Sequence, residues 1–317
     1  MILNKIAEKI RTSSRFLVAS HQSPDGDAIG STLGLSLALL QMGKDVVAFN
    51  IDGVPDYLSF LPGSHLVTSQ ISRDDHFDVA FLLDAGDPER AGIPISEYCD
   101  TLINIDHHPH STFGDICYLD TEASATAVLI HRLLAVCGLS PGVDVAKALY
   151  TGILDDTGSF RYSSANQEAF RIAGDLVACG VDSWEIASSL YESYPTSRMK
   201  LLGLVLSTLD ISRCGRYASV ALLDAFLDQS GAVAEMSDGF VNYPRAIKGV
   251  EVALFIKQLP DSLFQISFRS RGNIDVGALA RQLGGGGHHN AAGARIAATS
   301  LADARKSLYL HLDHLLN

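Results

Sequence analysis

The chain has 317 residues, 47% of them hydrophobic and 19% charged, with a formal net charge of −12 at neutral pH. That length suits two ordinary domains around well-buried cores. No apolar run reaches ~18 residues, which argues against a membrane span, and the acidic balance argues against a general nucleic-acid coat protein.

The charge is unevenly spread. Residues 1–190 carry 11 basic against 25 acidic side chains, and residues 191–317 carry 13 against 11. The first part therefore reads as a half suited to metal binding and the second as one able to receive an anion, although an ordinary acidic surface gives the same counts. The amino-terminal stretch is amphipathic and lacks the apolar core and small-residue site of a signal peptide. The cysteines Cys99, Cys117, Cys137, Cys179 and Cys214 are widely spaced with no CxxC. They indicate neither a thiolate zinc site nor a disulfide framework, so reduced thiols in a cytoplasmic protein are expected.

In chain order, RFLVAS (15–20) reads as a short buried strand, followed by the polar loop HQSPDGDAIGS and an apolar helix through Met42. VVAFN (46–50), FDVAFLLD (77–84) and TLINID (101–106) are further strands, and helical patterns occupy about 122–137, 143–154 and 166–179. Strands alternating with helices predict an α/β fold, a mostly parallel sheet flanked by helices on both faces. Residues 182–209 are helical with a break at Tyr194-Pro195, and 191–209 is expected to be a helical linker. Beyond it, Arg216–Leu223, Val250–Gln258 and Ser262–Phe268 read as antiparallel strands. A helix at about 275–283, a glycine run and a helix over 300–316 complete a smaller α/β domain. The expected division is 1–190, 191–209 and 210–317.

Three polar motifs follow strands, where ligands bind in such sheets. His21-x-x-x-Asp25-x-Asp27 sets two carboxylates on one turn, which repel unless a cation lies between them; Asp27 as a helix cap is the competing reading. Asp84 ends an apolar strand, a weak signal alone, and Asp87 before Pro88 reads as a turn residue or cap. Asp106-His107-His108 at a strand end is better explained by ligation, with a carboxylate orienting an imidazole. A fourth motif, Asp155-Asp156-Thr157-Gly158, places two carboxylates at a helix end, where the dipole disfavours them unless a cation is near; a solvated turn is the alternative. Mixed imidazole and carboxylate donors suit Mn²⁺ or Mg²⁺.

These four motifs, in this order, resemble the DHH phosphoesterase superfamily over nearly the whole chain. The resemblance implies two divalent metal ions, Mn²⁺ most readily and Mg²⁺ as the alternative. His21, Asp25 and Asp84 would hold one ion. Asp27, Asp84, His107 and Asp156 would hold the other, with Asp84 bridging. Asp156 rather than Asp155 takes the ligand position because it directly precedes Thr157, and the role of Asp155 is left open. His108 would face the scissile phosphate, and Asp106 would orient a histidine or steady its loop.

The run Gly284–Gly287 followed by His288 and His289 permits close backbone approach and can form an anion-binding nest, with a flexible turn as the alternative. The run resembles the glycine-rich motif of the DHHA1 domain, His288 taking the motif histidine's place. Ser267-Phe-Arg269-Ser270 resembles that domain's arginine-bearing strand. The resemblance implies that Arg269, Gly285, Gly286, Gly287 and His288 hold the nucleotide part of a substrate, while Arg271 and Arg281 are equally well surface residues. A compact chain with these two parts is similar to the nanoRNase and pAp phosphatase group. The expected partners are therefore short RNA oligonucleotides and nucleotides, with no long nucleic-acid track, no membrane, and a homodimer among the assemblies allowed. Hydrolysis of cyclic di-AMP or pApA, or nucleotide sensing without catalysis, are the alternatives.

Overall fold

Alternate side chains of the central strands in the first part of the chain enter two different cores, and the parallel pairing of those strands puts the loops that follow them at one end of the sheet. The computed structural model describes residues 2–287 and 289–316. Its contacts separate a unit ending at Ser193 from one beginning at Tyr194.

In the first unit α1 (Ile2–Thr12) leads into β1 (Arg15–Ser20), α2 (Gly26–Gln41), β2 (Asp45–Phe49), β3 (Val67–Thr68), β4 (Val79–Leu83), β5 (Leu102–Asp106) and β6 (Ile116–Leu119). Helices α3 (Thr126–Val136), α4 (Val143–Asp156), α5 (Gln167–Ala178) and α6 (Ser183–Tyr191) follow. The strands form one parallel sheet in the order β3-β2-β1-β4-β5-β6. Chain direction across the sheet therefore reverses between β1 and β4, and the crevice outside their carboxyl ends is where such sheets bind ligands.

Phe16, Val18, Val79, Phe81, Leu83, Ile103 and Ile105 point into a core shared with the buried faces of α1 to α6. Leu17, Ala19, Ala80, Leu82 and Leu102 point the other way, against Ala91, Ile95 and their neighbours. The expected helices on both faces are thus corrected: the α-helices lie on one face, and short 3₁₀ turns at Pro88–Ala91 and Ile95–Tyr98 cover the other. A right-handed crossover must carry the β4–β5 connection to that second face. Its Pro88, Gly92 and Pro94 keep it from forming a long helix.

Helix α2 is buried almost all round because it lies between the sheet and α4. Gly26, Gly30 and Gly34, spaced four apart, put one glycine stripe against α4. A β-carbon at Gly30 would lie 2.5 Å from Ala148 O, and one at Gly152 would lie 2.7 Å from Asp27 Oδ1. The backbones therefore approach as closely as two helices can, which carries Asp27 up to the end of α4. Gly30→Ala should destabilise the first unit by about 1–3 kcal/mol through overpacking, more than the roughly 0.5–1 kcal/mol it gains in helix propensity. An unchanged urea midpoint for this variant would mean that α2 and α4 do not pack this closely.

In the second unit α7 (Thr196–Leu206) precedes β7 (Asp210–Ile211), β8 (Tyr217–Leu222), α8 (Asp224–Ser230), α9 (Asn242–Arg245), β9 (Val252–Leu259) and β10 (Leu263–Ser270). Then come α10 (Val276–Gln282), β11 (Gly286–Gly287), β12 (Ala291–Ala297) and α11 (Leu301–Leu316). The described strands order as β11-β12-β10-β9-β8-β7. The expectation of antiparallel strands is corrected at one place: β8 and β9 pair in parallel, while β9–β10 and β10–β12 are antiparallel. The long connection through α8 and α9 returns the chain to the same end of the sheet, as a parallel pair requires. One sheet face packs on α10 and α11. The other packs on α7, whose Leu201, Leu202 and Val205 are buried with Val220, Leu222 and Phe255. The stretch expected to be a linker thus supplies a core helix to this unit.

Candidate metal centre

The crevice between β1 and β4 gathers side chains from the ends of β1, β4, β5 and α4. His21 directly follows β1 and is buried. Its Nδ1 lies 2.8 Å from the Gln22 carbonyl. A carbonyl only accepts, so Nδ1 carries the proton and Nε2 is left as a ligand atom. That Nε2 stands 3.8 Å from Asp25 Oδ1 and 3.7 Å from Asp84 Oδ2. Asn50 donates to Ser20 Oγ at 3.0 Å and to His21 O at 2.9 Å, which steadies the strand end.

His107 is built in the same way from the end of β5. Its Nδ1 faces Ala123 O at 3.2 Å, and its Nε2 lies 3.4 Å from Asp84 Oδ1 and 3.4 Å from Asp156 Oδ2. Asp84 therefore turns one oxygen to each histidine. It does so from a left-handed backbone, φ +57, an uncommon conformation for a residue other than glycine that marks a locally constrained position. Thr126 Oγ donates to Asp84 Oδ1 at 3.0 Å.

The capping roles differ from the sequence reading. Asp25 caps α2, accepting from Ala28 N at 3.0 Å. Asp27, in the first turn of that helix, instead caps α3, accepting from Thr126 N at 2.5 Å and Ala127 N at 2.9 Å. Helix α3 has Ala125 at its own cap position, with no side-chain bond there, so a carboxylate distant in sequence meets its positive end. Asp155, whose role was left open, accepts from Gly26 N at 2.8 Å and so holds the start of α2 against the end of α4. Asp87 caps the turn Pro88–Ala91 and is exposed.

Asp106 is fully buried and accepts four hydrogen bonds: from Gly86 N at 2.6 Å, His108 N at 2.8 Å, His108 Nδ1 at 2.9 Å and Ser111 Oγ at 2.6 Å. Four acceptor sites are what a carboxylate has, so Asp106 is committed to orienting His108 and its loop. The His108 ring meets His107 edge-on, centroids 4.6 Å apart, and its Nδ1 is 3.3 Å from Asp84 Oδ1.

Among the described residues three groups of ligand-type side chains result: His21 with Asp25 and Asp84, Asp27 with His107 and Asp156, and Asp84 with His107 and His108. The electrostatics show what this crowding costs. Burial and repulsion from Asp84 and Asp156 push Asp27 well above the ordinary carboxylate range. Burial, reinforced by Asp84, raises Asp156 to about 7, and burial with Asp25 raises Asp155 to about 6. Burial also opposes the charge of Asp84, but hydrogen bonds from His107, His108 and His21 hold it far below its usual value. Burial lowers His107 while Asp84, Asp156 and Asp27 outweigh it and carry it to about 10; Asp106 and Asp84 carry His108 to about 11. So many buried acids cannot all be ionised without added positive charge. Nitrogen and oxygen donors without thiolate fit divalent ions such as Mn²⁺ or Mg²⁺.

In the second unit Arg269, on β10, donates to Phe268 O at 3.0 Å. It lines a cleft with Ser237, Asp238, Lys257, Gln265 and Ser267. The glycine run is half strand: Gly286–Gly287 pairs with β12. A β-carbon at Gly285 would fall 2.1 Å from Gly293 O, and one at Gly287 2.5 Å from Ala292 Cα, whereas Gly286 opens to solvent. Two of these glycines are thus required by strand contact. His288 lies outside the described residues. Arg271 donates to Arg245 O at 2.6 Å, and the exposed Arg281 lies 3.8 Å from Asp275.

Sequence reading did not single out Ser111, Thr126, Asn50 or the glycine stripe. The stripe's four-residue spacing was a usable signal; the other three are ordinary residues whose roles depend on contacts distant in sequence.

Residues 15–153 match the DHH family, N-terminal domain, and residues 217–310 match the DHHA1 domain. The chain is 35% identical over 289 residues to the bifunctional oligoribonuclease and PAP phosphatase NrnA of Thermus thermophilus, covering 90% of this chain and 86% of that one. It is 29% identical over 303 residues to the protein of that name from Bacillus subtilis, covering 93% and 95%. Its fold matches the crystal structure of an exopolyphosphatase-related protein from Bacteroides fragilis with a TM-score of 0.91 and 29% identity, over 99% of this chain and 97% of that one. With strand order, crevice and both domain matches in agreement, this chain belongs to the DHH phosphoesterase family and carries the DHHA1 domain.

Proposed function

We propose that this protein hydrolyses short oligoribonucleotides to nucleoside monophosphates, and adenosine 3′,5′-bisphosphate to AMP, using two divalent ions, most readily Mn²⁺. One observation carries the reading: the two oxygens of Asp84 face two donor sets, His21 with Asp25 on one side and His107 with Asp27 and Asp156 on the other. A pair of ions held there would supply a hydroxide near neutral pH and neutralise charge on the phosphoryl oxygens. The chain's own residues do the rest. His21 and His107 keep Nε2 for ligation because backbone carbonyls occupy Nδ1. Asp106 fixes His108, which would offer a hydrogen bond or proton to the leaving oxygen. In the second unit Arg269, with its forked donors, and Gly285, Gly286, Gly287 and His288 would hold the nucleotide.

In this assignment residues 1–190 are catalytic, 210–317 bind substrate, and 191–209 join them. No helix among the described residues is long and apolar enough to cross a membrane. A cytoplasmic enzyme, alone or as a homodimer, fits this assignment.

A second reading has its own support: the cyclic-di-AMP phosphodiesterase PdeA of Listeria monocytogenes is 26% identical across 99% of this chain, which spans 49% of that protein. A panel of pApA, longer oligoadenylates, adenosine 3′,5′-bisphosphate and cyclic di-AMP, assayed for AMP release with Mn²⁺, separates the two. We expect dinucleotide turnover to be fastest and to fall steeply with length, because the acidic first unit offers no cationic track for a polymer. Faster turnover of cyclic di-AMP than of pApA or the bisphosphate would favour the second reading. Nucleotide binding without release of AMP would favour a sensor.

A further inference from the structure

The connection leaving β4 runs through Asp84, Ala85 and Gly86 and then turns back at Pro88–Ala91, which returns Arg90 to the strand end. Arg90 Nη1 donates to Ala85 O at 3.1 Å, and Arg90 O accepts from Gln22 N at 2.7 Å. The residue is therefore tied both to the loop of Asp84 and to the loop after β1. Its side chain is partly buried, and among the described residues no carboxylate lies within ion-pair distance of it. A guanidinium has five N–H donors, and one carbonyl bond leaves most of them unused. A partly buried guanidinium with one carbonyl partner thus keeps donors with which to meet an anion.

Gly86 lies beside that guanidinium. Its backbone is left-handed, φ +69, and its N–H is committed to Asp106 Oδ2 at 2.6 Å. A β-carbon at Gly86 would stand 3.7 Å from Arg90 Nη1 and 3.9 Å from His108 Cβ. Gly86 thus leaves bare backbone between Arg90 Nη1 and His108 Cβ, on the loop that carries Asp84.

We propose that Arg90 is a phosphate-binding residue of this centre, its guanidinium taking a non-bridging phosphoryl oxygen in the space above Gly86 beside His108. The proposal rests on the phosphoesterase function proposed above and adds a contact from the first unit itself. The carbonyl anchor at Ala85 holds the planar fork in place, so little side-chain freedom is lost on binding. A fixed cation there also opposes the charge that builds on the phosphoryl oxygens.

The competing role is a brace, in which the Nη1–Ala85 bond merely holds the Asp84 turn. Mn²⁺-loaded wild type, Arg90→Ala and Arg90→Lys would be compared by calorimetric titration with inorganic phosphate. KM and kcat for adenosine 3′,5′-bisphosphate, Mn²⁺ affinity and thermal midpoint would be measured alongside. Arg90→Ala should weaken phosphate binding and raise KM, each by ~10-fold or more for loss of a charge-assisted contact, with Mn²⁺ affinity and midpoint unchanged. Arg90→Lys should recover part of the loss. Unchanged phosphate affinity in Arg90→Ala, or a loss that merely tracks Mn²⁺ affinity, would overturn the proposal. Arg90-dependent phosphate binding in a wild type that hydrolyses no nucleotide would sustain the clamp and sink the proposed function; an active wild type with Arg90-independent phosphate binding would sink the clamp alone.

Discussion

Asp84→Asn is expected to lower AMP release from pApA by at least ~10³-fold, since it removes the shared charge on which the proposed two-ion site depends. Asparagine keeps the shape and can still accept from Thr126 Oγ, so the fold should survive. What it loses is the negative charge facing His21, His107 and His108 together. Calorimetry should show weaker Mn²⁺ binding in the same variant. Asp106→Asn is the informative contrast. Asp106 meets Gly86, His108 and Ser111 but has no acceptor site left for an ion. It should cost only ~10–100-fold, the usual size of a positioning effect, with Mn²⁺ affinity retained. If Asp84→Asn kept a tenth of wild-type turnover, the proposed bridging role would be wrong.

The second large effect is on stability. Mn²⁺ should raise the thermal midpoint, and should raise it more at pH 8 than at pH 5.5. In the metal-free protein Asp156 is raised to about 7 and Asp155 to about 6, both above their unfolded value of about 3.9. An acid whose folded pKa is raised contributes most to stability below its unfolded pKa. That contribution is lost as pH climbs through the folded pKa, here between about 4 and 7. His107, raised to about 10, behaves similarly at higher pH: its protonated form stabilises the fold fully below about 6.5, and that gain fades as pH rises toward 10. Asp84 has the opposite sign, being lowered, and its contribution is lost only as pH falls below the unfolded carboxylate value. Rising pH therefore weakens the metal-free protein while removing the protons that compete with the ion. At 100 times the dissociation constant a bound ion stabilises by about 2.7 kcal/mol. Differential scanning fluorimetry with and without Mn²⁺ at the two pH values reads the effect directly. A shift of equal size at both, or none, would mean that Asp156 does not hold the ion.

How much of this was legible beforehand differs from residue to residue. β1 was readable to the residue because RFLVAS is a short apolar run bounded by a polar loop. The strand-end positions of His21, Asp84 and Asp106 followed from the same reading. The 3₁₀ cover on the second sheet face was not, since a Pro- and Gly-broken connection carries no period to read. Nor was the parallel β8–β9 pair, because strand direction is set by how a connection returns and not by the residues of either strand.

The sequence by itself determined the α/β class, the resemblance to a family, and the set of chemistry-bearing residues, because strand period and ligand types are local properties. Only the tertiary structure decided what each of those residues does. Asp27 caps a helix distant in sequence, Asp155 holds the start of α2, and Asp106 spends every acceptor site on its neighbours, while Arg90, which the sequence did not single out, comes back to Ala85. Those roles rest on which backbone amides, carbonyls and charges come within about 3 Å, and chain folding alone brings them there.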